Sequence, residues 1–324
     1  MGHHVDSFAP ETGLEVYQKS PVHRAFRRIF GVSERRRRAH CAALISAAEN
    51  LRPNIAIVLK GLQVDKTTIQ ALSSLKAWAI NVNHDDFFSR NPNNRSDLQW
   101  DAIPFYAHIF TTREVNVAEL LPQNRNVAFF PFAYYPRIHR PVDTASNPLW
   151  QNDVVFVGTW EAARCRMLEK LVARVPAKYA LFGSQWRKAG SRSPVSCFLK
   201  FGEVVMDDLA RALGGSKIAL GFLRKENRDD YTQRTFEIPA CRGVLLAERT
   251  ARQMSWFRPG IEAEYFDADN PDELCEKVRY LLAHADYRES LRERGHQTLL
   301  SQKHTYRDRM ELLFERYAAF KGRS

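Results

Sequence analysis

The chain has little cysteine and no long apolar run, and each shortage removes a class of protein. Five cysteines stand among 324 residues (Cys41, Cys165, Cys197, Cys241 and Cys275), odd in number, scattered, and never in CxxC spacing. They indicate neither a disulfide framework nor a zinc site. No stretch of about 18 apolar residues is present, so nothing in the sequence reads as a membrane-spanning helix. The N-terminus lacks the charged start, apolar core and small-residue cleavage site of a signal peptide, and the expectation is a cytoplasmic protein with reduced thiols. No repeat of fixed period is visible, and no zinc-finger, homeodomain or RNP-type motif. No Ser-His-Asp or Cys-His pairing can be argued from the sequence either.

What is present is the composition of a soluble globular protein, with 44% hydrophobic and 26% charged residues. The length exceeds one ordinary domain and suits two, each with its own core. The net charge is +11, and much of the excess lies in HRAFRRIFGVSERRRRAH, with seven arginines from Arg24 to Arg38. Such a run can grip phosphates or an anionic surface. A solvated helix face accounts for it at least as well, because no aromatic residues are interleaved for base stacking.

Strand and helix patterns alternate along the chain, as in parallel α/β layers. NIAIVLKG (54–61) reads as a buried strand, followed by a helix over 66–75 and by the strands AWAINVNHDD, HIFTTR and VAFFPFAYYP. RIHRPVDTASNPLWQND, after Pro136, has two further prolines and no periodicity and reads as a linker. The pattern restarts with DVVFVGTW, the amphipathic helix RCRMLEKLVARV, and the strands YALFGSQW, KIALGFL, GVLLAE and AEYFD. The tail is nearly all helical, with Pro271 placed for a first turn. Two such units would leave a cleft, and ligands of open α/β sheets bind beyond the carboxyl ends of the strands.

The segment DDYTQRTFEIPACRGVLLAERT (229–250) sets a carboxylate, Glu237, before a small-residue turn and a strand. Arg234 and Glu237 are three apart, on one face if the segment is helical. A carboxylate held in this way can accept two hydrogen bonds from a ribose diol, while a diphosphate needs backbone N–H groups and a guanidinium. An ion pair that merely pins the helix fits the same two residues. FVGTW places Gly158 and Thr159 after a strand, a candidate diphosphate cradle with Arg164 or Arg166 adding charge, or else an ordinary strand-to-helix turn. Gly183 in LFGSQW is a candidate for the base-binding side. In NHDDFF, His84, Asp85 and Asp86 end a strand. Adjacent carboxylates on a strand point to opposite faces and chelate poorly together. One of them could orient or deprotonate an acceptor hydroxyl, or simply cap the following turn. Lys60 and Thr112 end neighbouring strands.

FVGTW…R, NRDDYTQRTFEIPACRGVLLAERT, FRPGIEAEYFD and HTYRDRMELL resemble the C-terminal half of the spore-maturation CgeB-like glycosyltransferases, within the group 1 glycosyltransferases of the GT-B fold. LKG, DDFF, FTT…N…EL and PFAYYP…HRP resemble that family's N-terminal half. The similarity runs from about Leu51 onward. It implies two Rossmann-like domains with parallel sheets facing a central cleft: 1–142 on the acceptor side, 143–304 binding the nucleotide sugar, and a terminal helix, 305–324, packing back on the first domain. It implies that Glu237 holds the donor ribose and that Asp229, eight positions upstream, lies near the donor sugar, with Asp230 as the second candidate and Thr232 and Arg234 in the same motif. It implies transfer with retention, without a protein nucleophile or a metal, to an acceptor that could be a saccharide, a protein or a small molecule. A GT-B sugar-nucleotide epimerase and a non-catalytic basic binding protein are the alternatives.

Three departures from the family pattern stand out. Arg242 replaces a usual glycine, where it could contact phosphate or narrow the pocket. Tyr135 replaces an aspartate, and Ala251-Arg252 an acidic pair. MGHHVDSF reads as the end of a first helix entering a second strand, which would leave the first β-α unit missing and the first sheet open.

Overall fold

A computed structural model describes residues 3–7, 34–200 and 202–322. The chain divides into two compact units, Met1–Pro131 and Phe132–Ser324. The proline-containing segment after Pro136 therefore lies within the second unit.

In the first unit, α1 (Glu34–Leu51) precedes β1 (Ile55–Leu59), α2 (Lys66–Ser74), β2 (Trp78–Asn83), α3 (Asp97–Ala102), β3 (His108–Thr111), α4 (Glu114–Leu120) and β4 (Val127–Phe129). The four strands are parallel and lie in chain order, β1-β2-β3-β4. Every residue of β2 is buried, as a strand covered on both faces requires. Ile69, Leu72, Ile103, Ile109 and Leu120 are fully enclosed between the helices and the sheet. The arginine run is described only from Arg35 onward; Arg24, Arg27 and Arg28 lie outside the described residues, and of MGHHVDSF residues 3–7 are described, without helix or strand. Within the described part, Arg37 is buried and bonded to Glu34 and, at 2.6 Å, to Asp65 at the start of α2. That arginine holds a helix in place and is withdrawn from solvent.

The second unit contains β5 (Val154–Val157), α5 (Ala162–Arg174), β6 (Tyr179–Phe182), α6 (Met206–Gly215), β7 (Ile218–Gly221), α7 (Arg234–Ala240), β8 (Leu245–Glu248), α8 (Ala251–Trp256) and β9 (Glu264–Phe266). Three helices close it: α9 (Pro271–Ala283), α10 (Ala285–Ser301) and α11 (Tyr306–Lys321). Pro271 does open α9, with the Asn270 side chain capping the turn. The parallel strands run β6-β5-β7-β8-β9. Chain order reverses between β5 and β7, so this sheet has a topological switch point, where the loops after two adjacent strands diverge and open a crevice. Leu168, Leu171, Ile218, Leu246, Phe266, Leu274 and Val278 fill its core.

Helix α11 is tied into this unit. Its N-cap, Thr305, closes a capping box with Asp308. Thr305 also bridges to Tyr134, and Arg309 donates to the carbonyls of Phe132 and Lys303 at 3.1 and 2.9 Å.

Candidate nucleotide site

The carboxyl ends of β5 and β7 flank the switch point, and Gly158 and Thr159 lie in the loop after β5, Asp229, Asp230 and Thr232 in the loop after β7. Gly183 follows β6 at φ +133, and a Cβ there would stand 2.2 Å from the Gly158 carbonyl oxygen. The two loops therefore touch backbone to backbone, which only glycine permits. The Trp186 indole donates to the same Gly158 carbonyl at 2.9 Å, and the hydroxyls of Thr159 and Ser184 lie 3.1 Å apart on the exposed side. Helix α5 starts three residues later, and no side chain caps its N-terminus, which leaves first-turn N–H groups to be satisfied from outside the helix.

Arg164 sits beneath this loop. It is 6% exposed, and its guanidinium donates to the Thr159 carbonyl and, at 3.4 Å, to the Leu223 carbonyl beyond β7. Burial lowers its pKa. Arg164 bridges the two lips of the crevice from below. Above it, Arg224 crosses the same gap to Glu161 at 2.8 Å. Arg166, two residues further along α5, is exposed and lines a separate groove of about 690 Å³ with Lys170, Arg174 and Arg192. The two arginines offered for one role thus occupy different places.

Arg234 opens α7 and donates its Nε to the carbonyl of Val157, the last residue of β5, at 3.1 Å. Its guanidinium is ion-paired with Glu237 one turn later, the arrangement expected from their spacing. Glu237 is 5% exposed. On its other oxygen, Oε1, it faces His139 Nε2 at 3.5 Å. His139 is itself buried, and its Nδ1 accepts the Tyr135 N–H at 3.0 Å. That bond fixes the tautomer: Nδ1 carries no proton, so the neutral ring has its proton on Nε2, toward the carboxylate. Burial lowers the His139 pKa, against the pull of Glu237. Burial also pushes the neighbouring Cys241 thiol up to about 12, leaving it an inert packing group.

Asp229 closes the loop after β7, accepting from the Arg224 N–H at 3.3 Å and the Asn227 amide at 3.2 Å. Asp230 faces Arg252, 3.5 Å away, and its carbonyl accepts from Thr250 at 2.6 Å. Thr232 and Thr235 bond each other's backbone ahead of α7. Arg242 adopts φ +59, the left-handed conformation a helix end demands, which accounts for a glycine there in the family pattern. Its side chain runs to Glu293 on α10. The guanidinium is thereby directed to a surface carboxylate, away from the phosphate contact considered for it.

Three groups of this site escaped the sequence reading. Glu248, at the end of β8, is 7% exposed; burial pushes its carboxyl up to about 7, opposed by the Leu223 N–H and the Arg164 charge. His139 was visible only as part of HRP. Burial raises the Tyr306 pKa, and the Glu237 charge adds to the effect. The one available signal was a buried-type residue at the end of an apolar strand, too common to single out Glu248.

In the first unit, His84, Asp85 and Asp86 follow β2 as expected. Asp85 pairs with Lys60 at the end of β1. Asp86 is 1% exposed and accepts from the Phe88 N–H and the Asn116 amide, both at 2.9 Å, the geometry of a carboxylate that fastens a turn. Burial lowers the His84 pKa. Among the described residues no group of three or more His, Cys, Asp or Glu side chains converges to hold a metal ion. No described helix is long and apolar enough to cross a membrane.

Residues 164–315 match a family described as glycosyl transferase-like. No curated protein matches the chain. Among solved structures, HepE of Anabaena, crystallised with UDP and glucose, superposes with a TM-score of 0.65 at 11% identity, over 87% of this chain and 82% of that one. Sucrose-phosphate synthase of Thermosynechococcus elongatus gives 0.65 at 12% identity, over 90% and 79%. Trehalose 6-phosphate synthase of Burkholderia multivorans gives 0.62 at 12% identity, over 89% and 75%. The fold is that of the GT-B glycosyltransferases.

Proposed function

We propose that the chain transfers a sugar from a nucleotide-sugar donor bound at the switch point of the second unit. The observation that carries this reading is the placement of Glu237: a buried carboxylate fastened through Arg234 to the end of β5, inside the segment that matches the glycosyl transferase-like family. Glu237 accepts the ribose hydroxyls. The uncapped first turn of α5 and the Gly158–Thr159 backbone receive the diphosphate, with the guanidinium groups of Arg164, bonded to the Thr159 carbonyl, and Arg234, bonded to the Val157 carbonyl, beside them. The loop at Gly183–Ser184 takes the base. Asp229, held by its own loop, stands toward the donor sugar, with Asp230 second. His84 and Asp85 are the acceptor-side candidates of the first unit.

Transfer follows with retention and without a metal, the CgeB-like course that the motif resembles. The departing diphosphate takes the acceptor proton, and the protein contributes positioning and stabilisation of the negative charge that develops on the leaving group. UDP is the first nucleotide to try, because the HepE structures contain UDP or UDP-glucose. The test is calorimetric titration with UDP, GDP, ADP and dTDP, repeated on Glu237→Gln. Binding of one of them that weakens about 30-fold in the variant supports the proposal, the size of a lost charged hydrogen bond or two. No binding of any nucleotide, or full affinity in the variant, overturns it.

A further inference from the structure

His139 reaches Glu237 from outside the motif that carries the carboxylate. It is 98 positions earlier in the chain, on the segment that runs from Phe132 to the Pro141 turn, and three observations fix its state there. The Tyr135 N–H occupies Nδ1 at 3.0 Å, so a second proton could enter the ring only by breaking that bond. Both partners are buried, His139 at 9% and Glu237 at 5% exposure. The remaining ring proton, on Nε2, faces Oε1 of Glu237 at 3.5 Å, while Arg234 occupies Oε2. The carboxylate is therefore flanked on both oxygens by donors from different parts of the chain.

The segment that presents His139 is itself braced. Tyr134 donates its N–H to the His304 carbonyl at 3.0 Å and accepts from the Tyr306 N–H at 3.1 Å. The His304 ring stacks on Phe236, the residue before Glu237, with centroids 4.4 Å apart. Strand end, terminal segment and α7 thus form one bonded set around the Glu237 carboxylate. A single donor, Arg234, would leave the carboxylate plane free to rotate about χ3, since such terminal torsions are broad. A second donor on the opposite oxygen removes that freedom.

We infer that His139 is a positioning residue for nucleotide recognition: its Nε2–H orients the Glu237 carboxylate for the ribose diol of the donor. This rests on the donor-site reading above. A ribose hydroxyl meeting an oriented carboxylate forms its bond without reorganising the site, which is the benefit of preorganisation. The class of ligand is a ribonucleoside diphosphate or its sugar ester, and the quantity His139 controls is discrimination between ribose and deoxyribose. Two charged groups bear on its ring, Glu237 across the contact and Arg234 beside it, and the Tyr135 backbone N–H donates from behind.

The experiment compares UDP with 2′-deoxy-UDP on the full chain by calorimetry, with GDP or ADP and its 2′-deoxy form taken instead if UDP is not the tightest. Wild type should favour the ribose form. Glu237→Gln should lose both affinity and preference. His139→Phe, which fills the space without the donor, should weaken the ribose form about tenfold and leave the deoxy form nearly unchanged, the loss of about one hydrogen bond. His139→Gln, whose amide nitrogen can replace Nε2, should restore the preference. If His139→Phe keeps the full ribose preference while Glu237→Gln loses it, the inference falls and the donor site stands. If wild type binds no nucleotide, or Glu237→Gln binds as wild type, both fall. Should His139→Phe fail to fold, imidazole titration by NMR on wild type and Glu237→Gln decides the matter. A further fall in the His139 pKa without the Glu237 charge supports the coupling, and an unchanged value overturns it.

Discussion

The two units use the same elements, a parallel sheet with apolar strands covered by helices, yet their strand ends do different things. In the first, the strands lie in chain order, and the polar groups at their ends bond within a turn, Asp86 to Phe88, or to the end of the adjacent strand, Asn81 to the carbonyl of Lys60 at 3.1 Å and Asp85 to Lys60. In the second, chain order reverses between β5 and β7, and the polar groups bond across the gap this creates: Arg164 to Thr159 and Leu223, Arg224 to Glu161, Arg234 to Val157. Strand order, more than composition, decides whether strand-end side chains tie neighbouring strands of a continuous sheet or span a crevice at a switch point.

The largest effect on that contrast is expected at the contact between the loops after β5 and β6. Gly183→Ala would drive a methyl into the Gly158 carbonyl at a backbone angle that side chains disfavour. It should destabilise the second unit by roughly 3 kcal/mol or more, read by thermal unfolding. A variant as stable as wild type would show that the loops are free to separate. A pair of substitutions, one in each unit, comes next. Asp86→Asn should lower stability by about 1–3 kcal/mol, because it weakens a buried turn bond, and leave nucleotide affinity unchanged. Glu237→Gln should do the reverse. Equal effects on affinity from both would dissolve the distinction between the units.

A pH scan separates groups within the second unit. Glu248 holds its proton to about pH 7 when folded, against 4.5 ordinarily. Its contribution is therefore present below about pH 4.5 and is lost as pH rises through 7. His304 is depressed from 6.5 to about 4 by burial, then Arg309, so its contribution is present above pH 6.5 and lost as pH falls through 4. Glu248→Gln should flatten the alkaline limb of the stability profile and leave the acid limb. If the alkaline limb persists, Glu248 is not the group that titrates there. The smallest effect is expected at Arg242, whose side chain meets only an exposed glutamate. Arg242→Gly should shift Tm by less than about 3 °C and leave nucleotide binding unchanged; weaker binding would restore the phosphate contact that its direction argues against.

Much of this architecture was legible along the chain. The alternation of short apolar strands with helical spacing implied two parallel α/β layers, since strands buried on both faces tend to read as continuous apolar runs, as β5 does. Spacing also set Arg234 beside Glu237, because an i,i+3 pair on a helix is local geometry. Some residues were legible in kind but not in role. Arg164 and Arg166 look interchangeable on one helix, and only burial shows that one bridges the loops while the other lines a separate groove. The strand order and with it the switch point, the neutral tautomer of His139, and the buried setting of Glu248 emerged only in the folded chain. Each depends on which distant segment arrives as a neighbour. Periodicity records whether a residue faces the interior, and it carries no information about what it will meet there.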